Sequence, residues 1–592
     1  MKYVRSSYKL VTAFLVCAML TLPGILHAQI APNIQWQKCL GGNDVDEAKC
    51  IIQIPDGNYI VVGYVKSHDG DVNGNQGLKD AWIAKLDANG RILDQECFGG
   101  SRDEEFHCII RTSDGGYAIA GTTASIDGDG ELSGIHGTQH ADAWVVKLNS
   151  AWVLEWQKCY GGSNEDSANS IVQTSDGGYL VAGSAFSRDG DVVGIHDILY
   201  YNSDAWLFKI DASGNLLWQK ALGGSGNEVA NSVLQTSDGG CIIAGSTSTP
   251  DDGDVKGNHI DTSFTNDPDP DHDGDRESDE MGLKDAWVVK LDLLHNIEWQ
   301  HCYGGSKPDV ANSIVSVPGG YVFAGSTESN DDDVSGYHGG ATTTSIPDDG
   351  WVVRIDTSGK IIWQTCVGGT GSDVFSSIIT TADNIITAAG WSASAEEGLS
   401  NHGLKDAWVA ELNSSGRLKW QKYYGGKYDE EAASIIRTSD KGYAFAGFTV
   451  SSDGDVTGLH IDSLSNLDPD NDGDREVDEG AIPVVGDMWV VKLGQPLGVQ
   501  NNSTSFGKLN LTSFPNPTST NVRLQYDLPK MSSVRINVIS NTGQVLTSIE
   551  KSSQAAGHHE ISLDLSEFAA GSYLINVEAV GSSETIETVI TK

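Results

Sequence analysis

The chain has 592 residues, 81 acidic against 38 basic side chains, and a formal net charge of −43. That acidity argues against nucleic acid and anionic membrane surfaces as partners, and it suits divalent cations. With 39% hydrophobic residues, 69 Gly and only 15 Pro, the composition is that of a folded, turn-rich protein and not an acidic tail.

At the N-terminus, Lys2, Arg5 and Lys9 precede an apolar run that ends at Ala28. A basic front, an apolar middle and a small terminal residue predict a secretory signal over 1–28. No later segment is apolar enough to cross a bilayer as a helix, so an exported chain without a transmembrane helix is expected.

From about residue 34 to 493 one unit recurs. A clear copy reads SIVQTSDGGYLVAGS at 170–184, an Asp-rich loop, then DAWLFKIDASGNLLWQKALGG at 204–224. Two short β-rich runs joined by SDGG and two more joined by ASGN make four strands, a to d, with a long b–c loop. Trp opens strand c at 82, 144, 206, 287, 351, 408 and 489. It recurs in strand d at 36, 156, 218, 299, 363 and 420, with Asp94 the exception. These are 13 of the 15 tryptophans, the pattern of large rings filling wedges between neighbouring sheets. The first strand d, IQWQKCL at 34–40, precedes every strand a, and the last unit stops after strand c. The expected fold is therefore all-β: a seven-bladed β-propeller over 29–493, its N-terminal strand completing the last blade and removing two open edges.

The KIDASGNLLW pattern at 209–218 resembles the tryptophan-docking repeats of quinoprotein-like propellers. That resemblance implies fold and not chemistry. The adjacent-cysteine pair that accompanies the cofactor in quinone dehydrogenases of that family is missing, so no cofactor is carried over. The cysteines fall at repeat-equivalent positions, Cys39, Cys97, Cys159, Cys302 and Cys366 at one and Cys50 and Cys108 at another. They read as small buried thiols held apart by the repeat.

In a propeller the d–a and b–c loops share one face, and acids concentrate there. Asp46, Glu104, Asp166, Glu228, Asp309, Asp373 and Glu430 lie just ahead of strand a. Asp80, Asp142, Asp204, Asp285, Asp349, Asp406 and Asp487 precede strand c. Recurrence in every unit favours a turn-fixing role; the functional reading is a negative mouth that attracts cations. DGDV loops (Asp69/Asp71, Asp189/Asp191, Asp453/Asp455) add Asp-x-Asp pairs suited to a hard cation. His136, His196, His338 and His460, in different units, read as turn residues.

The b–c loop of the fourth unit contains DPDPDHDGDRESDE (267–280), and that of the seventh contains LDPDNDGDREVDE (467–479). Asp269, Asp271, Asp273, Asp275, Glu277 and Glu280 stand at positions 1, 3, 5, 7, 9 and 12 around Gly274. Asp468, Asp470, Asp472, Asp474, Glu476 and Glu479 repeat this around Gly473. Alternate carboxylates that converge on one ion, a turn glycine and a terminal bidentate Glu are the requirements of a calcium loop. Both segments resemble the EF-hand loop without its helices, and two Ca2+ ions are the expected cofactors.

After a polar linker (494–511), residues 512–592 alternate strands with Gly turns, as in a small Ig-like β-sandwich. Pro515-Asn516-Pro517, LQYDLP, NTGQV, LDLS and Ala570-Gly571-Ser572-Tyr573, in that order, resemble the type A C-terminal sorting domain of the Bacteroidetes type IX secretion system. The resemblance implies passage through the outer membrane, contact with the sorting machinery through 512–592, and release or anchoring at the surface. G-x-S-x-G, H-E-x-x-H and phosphate-binding glycine loops are missing. The expected function is a non-enzymatic, calcium-stabilised surface or secreted binding protein, with a glycan or protein ligand on the b–c/d–a face. The alternative is a polysaccharide hydrolase or lyase that uses carboxylates on that face.

Overall fold

The computed structural model describes residues 31–126, 132, 134–137, 140–196, 202–259, 284–339, 346–381, 383–395, 401–460, 485–496, 509–516, 518–528, 531–540, 545–579 and 582–591. The signal segment, most of the linker and both expected calcium loops lie outside them.

Among the described residues the chain is all-β, and residues 34–493 form seven four-stranded antiparallel sheets. Sheet 1 runs Asp46–Gln53, Tyr59–Val65, Asp80–Leu86 and Ile92–Phe98. Sheets 2 to 6 span 104–160, 170–222, 228–303, 309–367 and 373–424. Sheet 7 takes Glu430–Arg437, Tyr443–Thr449 and Asp487–Leu493, and its fourth strand is Ile34–Leu40 from the start of the chain, with Cys39 opposite Trp489. The early strand d thus pairs where its place in the repeat predicted.

Seven apolar clusters join the sheets in sequence, and one of them packs sheet 7 on sheet 1. The seven strands a also touch one another in turn, so they line the inside of this propeller-like array. The strand-c tryptophans are its largest buried side chains. A buried indole N–H needs an acceptor, and each is matched by a strand-d glutamine of its own sheet. Trp206 Nε1 donates to Gln219 Oε1 at 2.9 Å, and Trp82, Trp144, Trp287, Trp351, Trp408 and Trp489 do the same to Gln95, Gln157, Gln300, Gln364, Gln421 and Gln37.

The strand-d tryptophans work between sheets. Trp36, Trp156, Trp299 and Trp363 each donate to a carbonyl in the c–d turn of the next sheet. The turn glycine there must lack a side chain: a Cβ on Gly416, at φ +79°, would come 2.5 Å from the Trp363 ring. Where sheet 1 has Asp94 in place of Trp, the turn of sheet 2 supplies Trp152, which packs on the cluster between sheets 1 and 2. The missing ring is replaced from the other side of the same junction.

Residues 512–591 form two further antiparallel sheets, of three and four strands, around one cluster that includes Leu524, Tyr526, Ile536, Val538, Ile575 and Val577. No helix among the described residues is long and apolar enough to cross a membrane.

Trp351 is fully buried. Trp351→Ala should cost about 3–5 kcal/mol in a denaturant melt of the exported chain, and Trp351→Phe, which strands only Gln364, should cost clearly less.

Candidate functional site

The fourteen repeated carboxylates are not an exposed mouth. All are 0–1% exposed. They stand at the strand starts, two positions earlier than the hydrophobic pattern placed strand a, because their backbone joins the pairing: Glu430 N donates to Lys405 O at 2.8 Å and Asp46 N to Gly486 O at 2.7 Å. In sheet 3 the corresponding Asp166 makes an isolated bridge to Ala185. The strand-a acids cap the preceding Gly-Gly turn, as in Gly42 N to Asp46 Oδ2 and Gly162 N to Asp166 Oδ2, both 2.8 Å. Burial pushes Asp46 and Asp166 up to about 6 and Glu228, Asp309 and Glu430 to about 7. The turn-fixing reading of these residues therefore stands.

The b–c loops are used in the same way. Asp69 and Asp189 accept the N–H of Asn43 and Ser163 and so cap the adjoining d–a loop. The second Asp of three of these loops faces a histidine of the preceding sheet: His136 Nε2–Asp191 Oδ2 at 3.4 Å, His460 Nε2–Asp71 Oδ2 at 3.7 Å and His196 Nε2–Asp254 Oδ2 at 3.7 Å. The Nδ1 of each histidine lies against the aspartate that opens its own strand c: His136 on Asp142, His196 on Asp204, His259 on Asp285, His338 on Asp349, His402 on Asp406 and His460 on Asp487. His136, His196 and His460 thus each bridge two sheets. Among the described residues no three His, Cys, Asp or Glu side chains are grouped to hold a metal.

The departure from the repeat lies on the inner ring. A β-bulge in strand a leaves one residue unpaired opposite a strand-b glycine, as between Ala48 and Cys50 opposite Gly63. A Cβ on Gly63 would sit 1.9 Å from Glu47 O, so only glycine admits the bulge. The bulged residue is Lys49, His107, Asn231, Asn312, Ser376 or Ala433 in sheets 1, 2, 4, 5, 6 and 7. Asn169 holds the equivalent place in sheet 3. In sheets 2 to 5 the side chain reaches a strand-a carbonyl of the next sheet: His107 to Ala168 O, Asn169 to Ala230 O, Asn231 to Ala311 O and Asn312 to Phe375 O. Sheets 6, 7 and 1 carry Ser376, Ala433 and Lys49 there and break the series.

The same sector carries the ring's charges. Two residues before the bulge stand Glu431, Glu47 and Glu105 in sheets 7, 1 and 2, against Ser167, Val229, Val310 and Val374 elsewhere. Lys49 Nζ lies 2.5 Å from Glu47 and 3.7 Å from Glu105; Lys79 Nζ lies 2.7 Å and His107 Nε2 3.5 Å from Glu105. Tyr64 donates to Glu47 Oε2 at 2.9 Å, and Lys79 sits 4.6 Å over the Tyr64 ring. At the sheet 6–7 junction Lys405 sits 4.2 Å over Trp391. These side chains are partly exposed, Glu105 16% and Lys79 20%.

Burial pushes Glu105 up, but His107, Lys49 and Lys79 outweigh it and hold the carboxyl well below the usual carboxylate range. Glu431 is raised by burial and then by Glu47. The sector thus combines a fixed anion, an acid that holds its proton longer, three lysines, a phenol and an indole. None of its residues was singled out in the sequence, although aligning the seven repeats shows the charge at these two positions.

The Cys39, Cys159, Cys302 and Cys366 thiols are buried, as expected; Cys97, at the same repeat position, is only half-buried. Cys50 and Cys108 are not held apart: Cys50 Sγ donates at 3.9 Å to the carbonyl of Ile109, the residue beside Cys108 on the next strand a.

Residues 512–592 match the family described as Secretion system C-terminal sorting domain. The chain is 23% identical over 393 residues to the regulatory protein FlaEY of Caulobacter vibrioides; the match covers 63% of this chain and 39% of that protein. Among solved structures it is similar to Sqt1 from Chaetomium thermophilum, with a TM-score of 0.36 and 10% identity over 79% of this chain and 99% of that one. It is also similar to a glycoside hydrolase family 43 arabinoxylan arabinofuranohydrolase from Bacillus subtilis, with a TM-score of 0.25 and 9% identity over 93% of each. Scores this low carry no argument about function.

Because the Glu105 pKa is depressed, its ion pairs contribute stability that is present above the ordinary glutamate range and is lost as pH falls. Glu105→Gln should therefore destabilise the chain by about 1–3 kcal/mol at pH 7, and thermal melts should show the gap closing as pH falls below 4. The sorting domain directs export by the type IX system to the cell surface or extracellular space, and this is what the comparisons establish about the chain.

Proposed function

We propose that residues 29–493 form a closed seven-bladed propeller that binds a polar ligand, a glycan or a protein, without turning it over. The C-terminal β-sandwich would carry the propeller to the cell exterior. The observation that supports this is the asymmetric inner-ring sector. Repeated residues hold the sheets together, and a ligand needs a place that differs from its six equivalents. Glu47, Lys49, Tyr64, Lys79, Glu105, Trp391, Lys405 and Glu431 provide donors, acceptors and two aromatic faces there.

The two Asp-rich loops would each bind Ca2+ through Asp269, Asp271, Asp273, Asp275, Glu277 and Glu280, and through Asp468, Asp470, Asp472, Asp474, Glu476 and Glu479. Carboxylate oxygens at these spacings suit a hard cation. Chelation should lower the melting temperature of the exported chain, and Asp269→Ala with Asp468→Ala should remove most of that response; an unchanged melt would refute the calcium role. A screen of the calcium-loaded chain against glycans and envelope proteins should find a ligand whose affinity falls about tenfold or more with Lys79→Ala. It should be unchanged with Asn231→Ala in an ordinary sector.

A second reading is a hydrolase or lyase. Its support is the opposite displacement of Glu105 and Glu431, since two carboxyls with separated pKa values can divide base and acid roles. Polysaccharide turnover abolished by Glu431→Gln would replace the binding reading with this one.

A further inference from the structure

The seven sheet junctions share a feature that the proposed binding function does not use. At each, the acid that opens one strand a is joined through its own N–H to the residue just before the aspartate that opens strand c of the preceding sheet. These bonds are Asp46 to Gly486, Glu104 to Lys79, Asp166 to Ala141, Glu228 to Ser203, Asp309 to Lys284, Asp373 to Asp348 and Glu430 to Lys405. Two buried carboxyl groups are thereby brought side by side seven times.

The geometry is clearest between sheets 2 and 3 and between sheets 6 and 7. A Cβ placed on Gly161 would lie 2.5 Å from Asp166 Oδ2 and 3.0 Å from Asp142 Oδ1; one on Gly425 would lie 2.3 Å from Glu430 Oε2 and 2.8 Å from Asp406 Oδ1. Each pair therefore crowds one glycine. The Oδ2 of Asp142 takes both the backbone N–H and Nδ1 of His136, and that of Asp406 takes the same two groups of His402. The other oxygen has nothing: Asp142, Asp349, Asp406 and Asp487 are fully buried, and each has an Oδ1 with no hydrogen-bond partner. Their partners are well supplied, since Glu430 accepts from Gly426 N and Thr449 Oγ1. A buried carboxylate oxygen without a donor is costly, and two adjacent carboxylates cannot both stay ionised in a dry site.

We propose that the four junctions that contain Asp142, Asp349, Asp406 and Asp487 each hold one proton between their two carboxyl groups, with the orphan Oδ1 of the strand-c aspartate as its seat facing the strand-a acid. The ring is then fastened by acid pairs as well as by apolar packing, and its stability depends on pH. The other titratable groups facing the sheet 2–3 pair are His136 and, beyond it, Asp191 of sheet 3; those facing the sheet 6–7 pair are His402 and Asp455. In sheet 1, where Gln76 takes the histidine's place, Asp80 accepts from Gln76 N at Oδ2 (2.8 Å) and from Gly77 N at Oδ1 (3.1 Å), so that junction has no orphan oxygen.

The carboxyls of these four pairs are raised above their ordinary values, chiefly by burial, with Asp349 at about 6 and Glu430 at about 7. Stability from such groups is complete below the ordinary carboxylate range and is lost as pH rises through the raised values. The full exported chain should therefore melt at falling temperature from about pH 4 to about pH 8. Its infrared spectrum at pH 6 should show the carbonyl stretch of buried protonated carboxyl groups. Asp142→Asn, Asp349→Asn and Asp406→Asn put a permanent N–H donor in place of the proton, so together they should flatten the pH slope and weaken the band, whereas His136→Gln should leave the band intact. Absence of the band in the wild-type chain overturns the proposal, even where the variants fail to fold. So does an unchanged slope in folded variants. So does stabilisation by Mg2+ or Ca2+ that the Asn substitutions abolish, which would place a metal ion in the junction instead.

Discussion

The ring depends on what the first residue of each inner strand does with a buried carboxyl group. That group caps a Gly-Gly turn through its side chain and ties to the preceding sheet through its backbone. Its desolvation is tolerated because turn amides and hydroxyls surround it. Once the turn is fixed, the d–a and b–c loops lock together, as Asp71 N on Gly41 O and Asp191 N on Gly161 O show. The tryptophans then have a defined wedge to fill. Apolar packing alone would hold the sheets but would not set the pitch of the loops.

This explains why so acidic a protein does not present all its acids to solvent. Fourteen of them are structural and buried. The negative charge available to ligands and cations resides in other carboxylates, and the inner sector is close to balanced, with Glu47, Glu105 and Glu431 facing Lys49, Lys79 and Lys405. The bulged residue is asparagine in sheets 3, 4 and 5; where sheets 7, 1 and 2 meet it is Ala433, Lys49 or His107.

Much of the fold was legible because tryptophan is rare and large. Thirteen of fifteen at two repeat positions leave little freedom in strand order, and the orphan strand d at 34–40 can pair only with the last strand c. The sorting domain was legible from its ordered short motifs. The inner site was not, for two reasons. Strand a carries a bulge, so alternation of side chains slips by one after it, and the charged pairs Glu47/Lys49 and Glu105/His107 fall out of step with the apolar residues that follow. Burial of the strand-start acids also depends on the neighbouring sheet, which single-unit patterns do not contain. The replacement of a strand-d Trp at Asp94 by Trp152 follows the same logic, since a junction can be filled from either sheet.

The most direct measurement of the central idea, that repeated residues build the ring and unrepeated ones bind, is a crystal structure of the exported chain soaked with a mixture of short oligosaccharides. The account predicts ordered sugar density at the inner ring of sheets 7, 1 and 2, against Tyr64, Lys79 or Trp391. Sugar ordered only at the outer strands, or equally at all seven sheets, would contradict it.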